Sequence, residues 1–342
     1  MAAYLAIGLA GPASSTTCVV SGHCEGLFYR GVGELLQVGN GEVYTSEIVE
    51  RWWRTSLLTE PSIQQSFVGT PASLPFHTLY GLGSSSSQSV GLGAVAAVLV
   101  GLLCTMTGGL LFSLSVLIGG AVAAGVVFGT PSLFLAVGAL LVHRGLNRGG
   151  SWWAGIGLTL LAFRLEFAAV ALVFLGLRRR IGPLVVASIV SGILWAVAGL
   201  IWGGDISTDW AQSLQHPPSG VDAGVGLLGM VPGANGQWIP LWWLVYGGVA
   251  AMALRRSRGM TAVQGFAFLL AVGVLASPQV TPEDYVLLTP FFLAFFSRPE
   301  RPALVFGIAS YGLAFVGMTA LLPLVALTLL SFGQDNLDQE VC

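Results

Sequence analysis

From Val90 to Phe332 the chain is a succession of apolar runs, broken at intervals by short stretches that carry arginine or acid. Several runs approach or exceed the roughly 17 to 25 residues needed to cross a bilayer. In hydrocarbon a helix of that length satisfies its own backbone hydrogen bonds, so the pattern predicts an all-α polytopic membrane protein and excludes a soluble domain. Composition agrees: 54% of the 342 residues are hydrophobic, 9% are charged and mean hydropathy is +0.80, where soluble domains carry about 25% charged residues. The formal net charge of -2 decides little. No nucleic-acid signature is present, and the 47 glycines suit close helix packing in lipid.

The placement of the basic residues sets the threading. All 14 are arginine. From Ser151 to Leu177 the chain could form one long helix, but Arg144 and Arg148 would then lie across the membrane from Arg178, Arg179 and Arg180. The bias of basic residues toward the cytoplasm disfavours that. Splitting the segment at Arg164 and Glu166 gives two halves of about a dozen residues, each about 18 Å long. Both basic clusters then stay cytoplasmic and the tip bearing Arg164 and Glu166 points outward. Ile181 to Trp202 spans outward to a loop over 203–237 that holds Asp205, Asp209, Trp210, His216 and Asp222. Trp238 to Leu254 returns to the arginines at 255–258, and Thr261 to Ala276 leads out to a turn over 277–284. Tyr285 to Ser297 returns to Arg298 and Arg301, and a final run, Ala303 to Phe332, precedes an acidic tail over 333–342. All four arginine clusters fall inside under this threading, and the acidic turns fall outside.

Upstream, Ala3 to Val20 is a weak first span over 1–20, without the basic start of a cleaved signal peptide. A polar region over 21–89 follows and is expected outside the cytoplasm. Leu27 to Val38 and Ser46 to Leu58 are expected as helices there, the second lying along the membrane surface through Trp52 and Trp53. The run Gly81 to Ser89 is expected as a flexible lead into the bundle over 90–332. There Val90 to Thr107 and Leu110 to Phe128 are two spans joined at Gly108 and Gly109. A break over Gly129 to Pro131 precedes Ser132 to Val142, too short to cross, and a basic turn over His143 to Gly150. Cys18 and Cys24 lie in or beside the outer loop and can either pair or stay reduced. Cys104 is expected in the core, and neither the cysteines, Cys342 included, nor His23, His77 and His216 have metal-ligand spacing, so the histidines are expected at the surface.

The stretch Ala276 to Leu293, ASPQVTPEDYVLLTPFFL, is the sharpest break. Proline removes a backbone donor and disfavours helix in the residue before it, so Pro278 and Pro282 end one helix and begin another. Glu283 and Asp284 then sit at a turn facing water or a polar cavity, because ionised carboxylates are costly in hydrocarbon. Arg164 with carboxylates around it suits a phosphate, which the planar guanidinium grips with its fork. The bland alternatives are an intramembrane ion pair for Arg164 and Glu166, and a solvated turn for Glu283 and Asp284. Trp210 beside Asp209 could stack on a sugar or anchor at the interface.

From about Glu25 onward the chain resembles the polyprenyl-phosphate-mannose-dependent mannosyltransferases of glycosyltransferase family 87, a GT-C group common in actinobacteria. The likeness rests on EGLFYRGVGELLQVGNGEVY from Glu25 to Tyr44, FVGTP from Phe67 to Pro71, Gly129, Arg164 in AGIGLTLLAFRLEF, and Ser277 and Pro278 followed by Glu283 and Asp284. Glu25 stands where the family usually has Asp, Arg164 and Leu165 replace a Lys, Pro pair, and Glu283 and Asp284 replace a pair that is often His. The resemblance implies a GT-C-like bundle of about 10 or 11 transmembrane or half-spanning helices with an extracytoplasmic first loop. It also implies an inverting transfer of a sugar, mannose by family, from a polyprenyl phosphate donor to a lipid or glycan hydroxyl at the outer face of the plasma membrane.

In that scheme Glu25 is the general base, displaced by one methylene relative to Asp. Arg164 holds the donor phosphate. Glu166, Asp209, Trp210, Glu283, Asp284 and Tyr285 orient donor or acceptor, directly or through a divalent metal. A transporter or flippase is the competing reading, since broken helices with ionisable residues also build transport sites. An inactive relative is the third.

Overall fold

The computed structural model describes residues 32–37, 42–44, 70–81, 86–128, 130–203, 205–215, 239–277, 280–315 and 321–340. Among them the chain is helical and has no strand. Glu25, Cys18, Cys24, His23, His216, Asp222 and the segment Ser46 to Leu58 lie outside the described residues, and of Leu27 to Val38 only 32–37 is described, as helix.

A 3-10 turn, Pro71–Ser73, opens α1 (Leu74–Gly81). The bundle then runs through α2 (Ser86–Gly108), α3 (Leu110–Leu117), α4 (Gly120–Phe128) and α5 (Ser132–Arg148). The serine run expected as a flexible lead is helical from Ser86, because nothing in SSQSV breaks a helix once the apolar run behind it nucleates one. α3 and α4 meet at a bend of 57°, where Gly119 packs directly on Gly307. The basic turn expected at His143 to Gly150 is helix up to Arg148. Gly145 is tolerated inside the helix, where it packs against Ala154, and Gly149, with a φ of 75°, supplies the left-handed cap.

The segment Ser151 to Leu177 divides as the arginine placement requires. α6 (Ser151–Leu161) and α7 (Leu165–Leu177) are separated by Ala162, Phe163 and Arg164, with Arg164 in extended backbone, φ -123° and ψ 106°. α8 (Ile181–Trp202) starts three residues after α7 ends. A Cβ on Gly182 would touch Ser151, one on Gly155 would touch Val186 and Pro183, and the Thr159 hydroxyl meets the Ala187 carbonyl at 3.4 Å. α6 and α8 therefore run parallel from a common level, so α7 has to come back to that level, and the two halves form a hairpin. α6, at 11 residues, is roughly 17 Å long against roughly 33 Å for the 22 residues of α8. The hairpin tip lies about half-way along the bundle.

α9 (Ile206–Gln215) is a helix inside the stretch expected as a loop, with Ile206 and Ser213 buried and Asp205, Thr208 and Gln212 exposed. α10 (Ile239–Arg256) descends to the arginines and α11 (Ala262–Ala276) climbs again, its start closed by a capping box of Thr261 and Gln264. α11 lies antiparallel to α7, with Gly265 against Phe174 and Gly273 beside Phe167. Arg178 Nη2 donates to the carbonyls of Ser257, Arg258 and Met260 at 2.7, 3.0 and 2.7 Å, which ties the hairpin base to the turn before α11. A seven-residue 3-10 helix, Pro282–Leu288, leads into α12 (Thr289–Phe295). The single final run expected from Ala303 to Phe332 is two helices, α13 (Glu300–Phe315) and α14 (Leu322–Glu340), and the second carries the helix into the acidic tail.

These packings collect Arg148, Arg178 to Arg180 and Arg255 to Arg258 at one end of the bundle. Gly108 against Leu293, and the 3.5 Å contact of Arg144 Nη1 with the Met106 carbonyl, bring Arg144 and the α12 terminus to the same end. Gly91–Gly108 and Ile181–Trp202 are each long and apolar enough to cross a membrane, and the bent α3–α4 pair makes a third crossing if it is one span. Leu111, Leu244 and Leu200 are 70%, 73% and 87% exposed. A surface of that kind is covered by lipid rather than water.

Close approach of α5 and α6 depends on paired glycines. A Cβ on Gly157 would lie 2.4 Å from the Gly138 carbonyl oxygen, and one on Gly138 2.8 Å from that of Gly157. Both clashes are with backbone, which cannot rotate away. Gly157→Val is expected to lower stability by about 3 kcal/mol in thermal unfolding of the purified protein in detergent. Gly312→Ala, which meets nothing within 4 Å, is expected to be neutral or to stabilise by up to about 1 kcal/mol.

Candidate functional site

About half-way along the bundle, above the arginine-rich end, three breaks converge: the hairpin tip, the start of α5 and the 3-10 helix after α11. Arg164 is the N-cap of α7, preceded by tight turns in which Phe163 and Arg164 donate to Leu160 and Leu161. Its guanidinium is engaged on two sides. Nε and Nη2 reach Glu166 Oε1 at 2.8 and 2.7 Å, while Nη1 reaches Asp284 Oδ2 at 2.5 Å. The Phe167 ring lies 5.1 Å from the guanidinium carbon, a cation–π contact that favours the charged form.

Asp284 is the fixed corner of the cluster. Its Oδ1 accepts from Ser132 Oγ at 2.7 Å, and its Oδ2 accepts from the Thr281 amide at 3.0 Å and the Thr281 hydroxyl at 3.2 Å in addition to Arg164. Thr281 and Asp284 form a capping box. The local sequence Thr-Pro-Glu-Asp thus folds its own turn, and long-range bonds to Ser132 and Arg164 use the rest of the carboxylate. The side chains of Arg164 and Glu166 are 10% exposed, and that of Asp284 is 0% exposed. Glu283 is buried as well. The solvated turn considered for this pair is therefore replaced by a buried one, because Arg164 supplies the opposite charge that makes burial of Asp284 affordable. The tip is likewise enclosed rather than open on an outer surface.

Part of the enclosure comes from the segment before α1. Thr70 Oγ1 donates to the Ala162 carbonyl at 3.3 Å, and Phe76 packs on Phe163 with ring centroids 4.9 Å apart. His77, expected at the surface, is 2% exposed and lies 6.1 Å from Phe163. Burial pushes its pKa down to about 3, so it is neutral in the folded protein. On the other flank, Tyr246 of α10 donates to the Glu166 carbonyl at 2.8 Å. Glu166, Phe167, Val170, Tyr246, Phe266 and Leu270 border a small, mostly apolar cleft with room for little more than a water molecule.

Tyr285 is buried on the far side of the turn, against Phe306 of α13 at 5.7 Å. Trp210 packs against a second cluster that holds Leu36, Val43, Tyr44, Leu74 and Ala198, and Asp209 is near enough for its charge to act on Tyr44. Trp210 meets Trp195 edge-on at 5.2 Å, and burial, then the Asp209 charge, raises the Tyr44 phenol above its ordinary value. Leu74 links the two clusters, since it follows directly on the Pro71–Ser73 turn beside the hairpin tip. Glu25 lies outside the described residues. Among the described residues no three His, Cys, Asp or Glu side chains gather as a metal site. Ser132, Thr281 and Tyr246 were not singled out as site residues in the sequence, and Thr70 entered only within FVGTP. Of these only Thr281 carried a local signal, its capping pattern with Asp284.

The profile of glycosyltransferase family 87 matches residues 67–282, more than half of the chain. The chain belongs to glycosyltransferase family 87. The match takes in Thr70, Ser132, the hairpin with Arg164, and the Asp209 helix, and it stops at Pro282, just short of Glu283 and Asp284. Comparison with curated proteins and with solved structures finds no match. A family 87 chain is a membrane glycosyltransferase, so a donor and an acceptor have to meet at this end or the other of a lipid-embedded bundle.

Removing the Arg164 guanidinium would leave the buried Asp284 and Glu166 carboxylates without a counter-ion. Arg164→Ala is expected to destabilise by about 3 to 5 kcal/mol in detergent unfolding. Combining it with Asp284→Ala is expected to cost less than the sum of the two single changes.

Proposed function

We propose that the protein transfers a sugar, mannose by resemblance, from a polyprenyl phosphate donor to a lipid or glycan hydroxyl at the outer face of the plasma membrane. The observation that carries this reading is the position of Arg164. It is a guanidinium held at mid-depth on a hairpin tip, inside the part of the chain that the family matches and apart from the other arginines of the bundle. The planar fork of arginine suits two phosphate oxygens.

In the proposed reaction the acceptor hydroxyl oxygen attacks the anomeric carbon from the face opposite the phosphate. Its proton passes to Glu25, the C1–O bond breaks, and polyprenyl phosphate leaves with the bonding electrons. Phosphate needs no strong acid to leave. Asp284, held by Ser132 and Thr281, positions Arg164 and does not act as a base, because both of its oxygens are already accepting. Glu283 and Tyr285 support that turn from within. Asp209 and Trp210, next to the Leu74 cluster, suit the acceptor side, where an indole can stack on a sugar ring. A divalent metal, if the reaction uses one, would have to be held with residues beyond those described. The paired guanidinium and the broken helices also suit a transporter, which would move the lipid without producing a new glycoside.

Incubation of the purified protein with labelled polyprenyl phosphate mannose and candidate acceptors is expected to give a glycosylated product. Glu25→Gln is expected to lower the rate by at least about 100-fold with expression and folding unchanged. Substrate movement across vesicles without product would replace the enzyme reading with the transporter.

A further inference from the structure

Two carboxylates hold Arg164, and they are not equivalent. Asp284 is fully buried and takes four hydrogen bonds, one each from Ser132 and Arg164 and two from Thr281. Breaking it loose would undo the turn after α11. Glu166 has a different footing. It is two residues from Arg164 in sequence, its side chain is 10% exposed, and the bonds made by its carboxylate go to Arg164 Nε and Nη2. Those two nitrogens form the side of the guanidinium fork that grips an oxyanion.

We propose that Glu166 stands in for the donor phosphate on Arg164 and yields the Nε and Nη2 edge when the donor binds. This inference rests on the reading that Arg164 holds the donor phosphate. The backbone at Glu166 stays in place during the exchange, because its carbonyl is bonded to Tyr246. Only the side chain has to rotate, and at 10% exposure it is not sealed in as Asp284 is. The displaced carboxylate has a second partner close by. Glu166 lies in the first turn of α7, a 13-residue helix whose N-cap, Arg164, provides no side-chain cap. A carboxylate there is favoured by the unsatisfied amides and the helix dipole.

The arrangement also answers a problem set by the reaction. Transfer converts a phosphodiester, which carries one negative charge, into a phosphomonoester, which carries up to two. The product would therefore bind a bare guanidinium more tightly than the substrate and leave slowly. A tethered carboxylate that competes for the same edge weakens both, and it returns to Arg164 as the product departs. The inference assigns Glu166 to release and affinity rather than to orientation of the sugar.

Farnesyl phosphate, a sugar-free phosphomonoester, is the probe, titrated calorimetrically into the full-length protein in detergent. Glu166→Gln is expected to tighten its Kd by about five- to tenfold, and Glu166→Ala to act in the same direction. Arg164→Lys, which keeps the charge and loses the fork, is expected to weaken it by about tenfold. Weaker binding in Arg164→Lys with unchanged or weaker binding in both Glu166 variants would overturn the exchange while leaving Arg164 as the phosphate residue. Unchanged binding in Arg164→Lys would remove Arg164 from the donor site, and the exchange with it. Failure of both Glu166 variants to fold would also count against the exchange, since a group that leaves its partner in every cycle cannot be indispensable to the fold.

Discussion

The bond between Arg164 and Asp284 joins residues 120 positions apart in the interior of a lipid-embedded bundle. Neither charge is tolerable there alone, because an unpaired ion in a low-dielectric interior costs several kcal/mol even after relaxation. Pairing them constrains much else. Arg164 has to leave the helix, so the segment from Ser151 to Leu177 is two short helices. Asp284 has to sit at mid-depth, so α11 stops at Ala276 and a 3-10 turn carries the chain inward. Ser132, which shares Asp284, fixes the height at which α5 begins. The glycine contacts between α5 and α6, and between α6 and α8, then follow at matching levels along the bundle.

The arginine clusters made the hairpin legible before any coordinates. Only a return of α7 keeps Arg144 and Arg148 level with Arg178 to Arg180, and packing of Ser151 beside Gly182 places them so. The helix breaks at Pro282 and around Arg164 were equally visible, since proline and a lone charge each interrupt an apolar run. What composition hides is which polar residue becomes buried. Asp284 reads as a solvated turn until Arg164, Ser132 and Thr281 are seen around it. His77 reads as a surface histidine until Phe163 is seen beside it. The helical reach of α5 through His143 to Arg148 was concealed because basic residues at an interface look like a turn, although none of them breaks a helix. Asp209 and Trp210, expected to orient a substrate, lie on α9, whose Trp210 packs against a cluster with Tyr44 and Leu74 rather than against Arg164.

Membership of glycosyltransferase family 87 gives this geometry a chemical frame. The family match and the ion cluster overlap at the hairpin and at Ser132, while the Asp284 corner falls just beyond the matched residues. A guanidinium held by one immovable and one displaceable carboxylate differs from a purely structural ion pair, in which both partners would be locked. It also differs from an open phosphate site, which would leave its fork exposed to water and lipid phosphates alike. On the proposed reading, a fork kept covered until the donor arrives would give selectivity in a membrane crowded with other phosphates.

The hairpin is the most direct point of test. With the native cysteines replaced by serine, single cysteines at positions 148, 179 and 205 can be probed with a membrane-impermeant thiol reagent applied to either side of sealed vesicles. The account predicts that positions 148 and 179 react from one side and position 205 from the other. Labelling of 148 and 179 from opposite sides would make Ser151 to Leu177 a single crossing helix, and Arg164 could then not occupy the tip that brings it to Asp284.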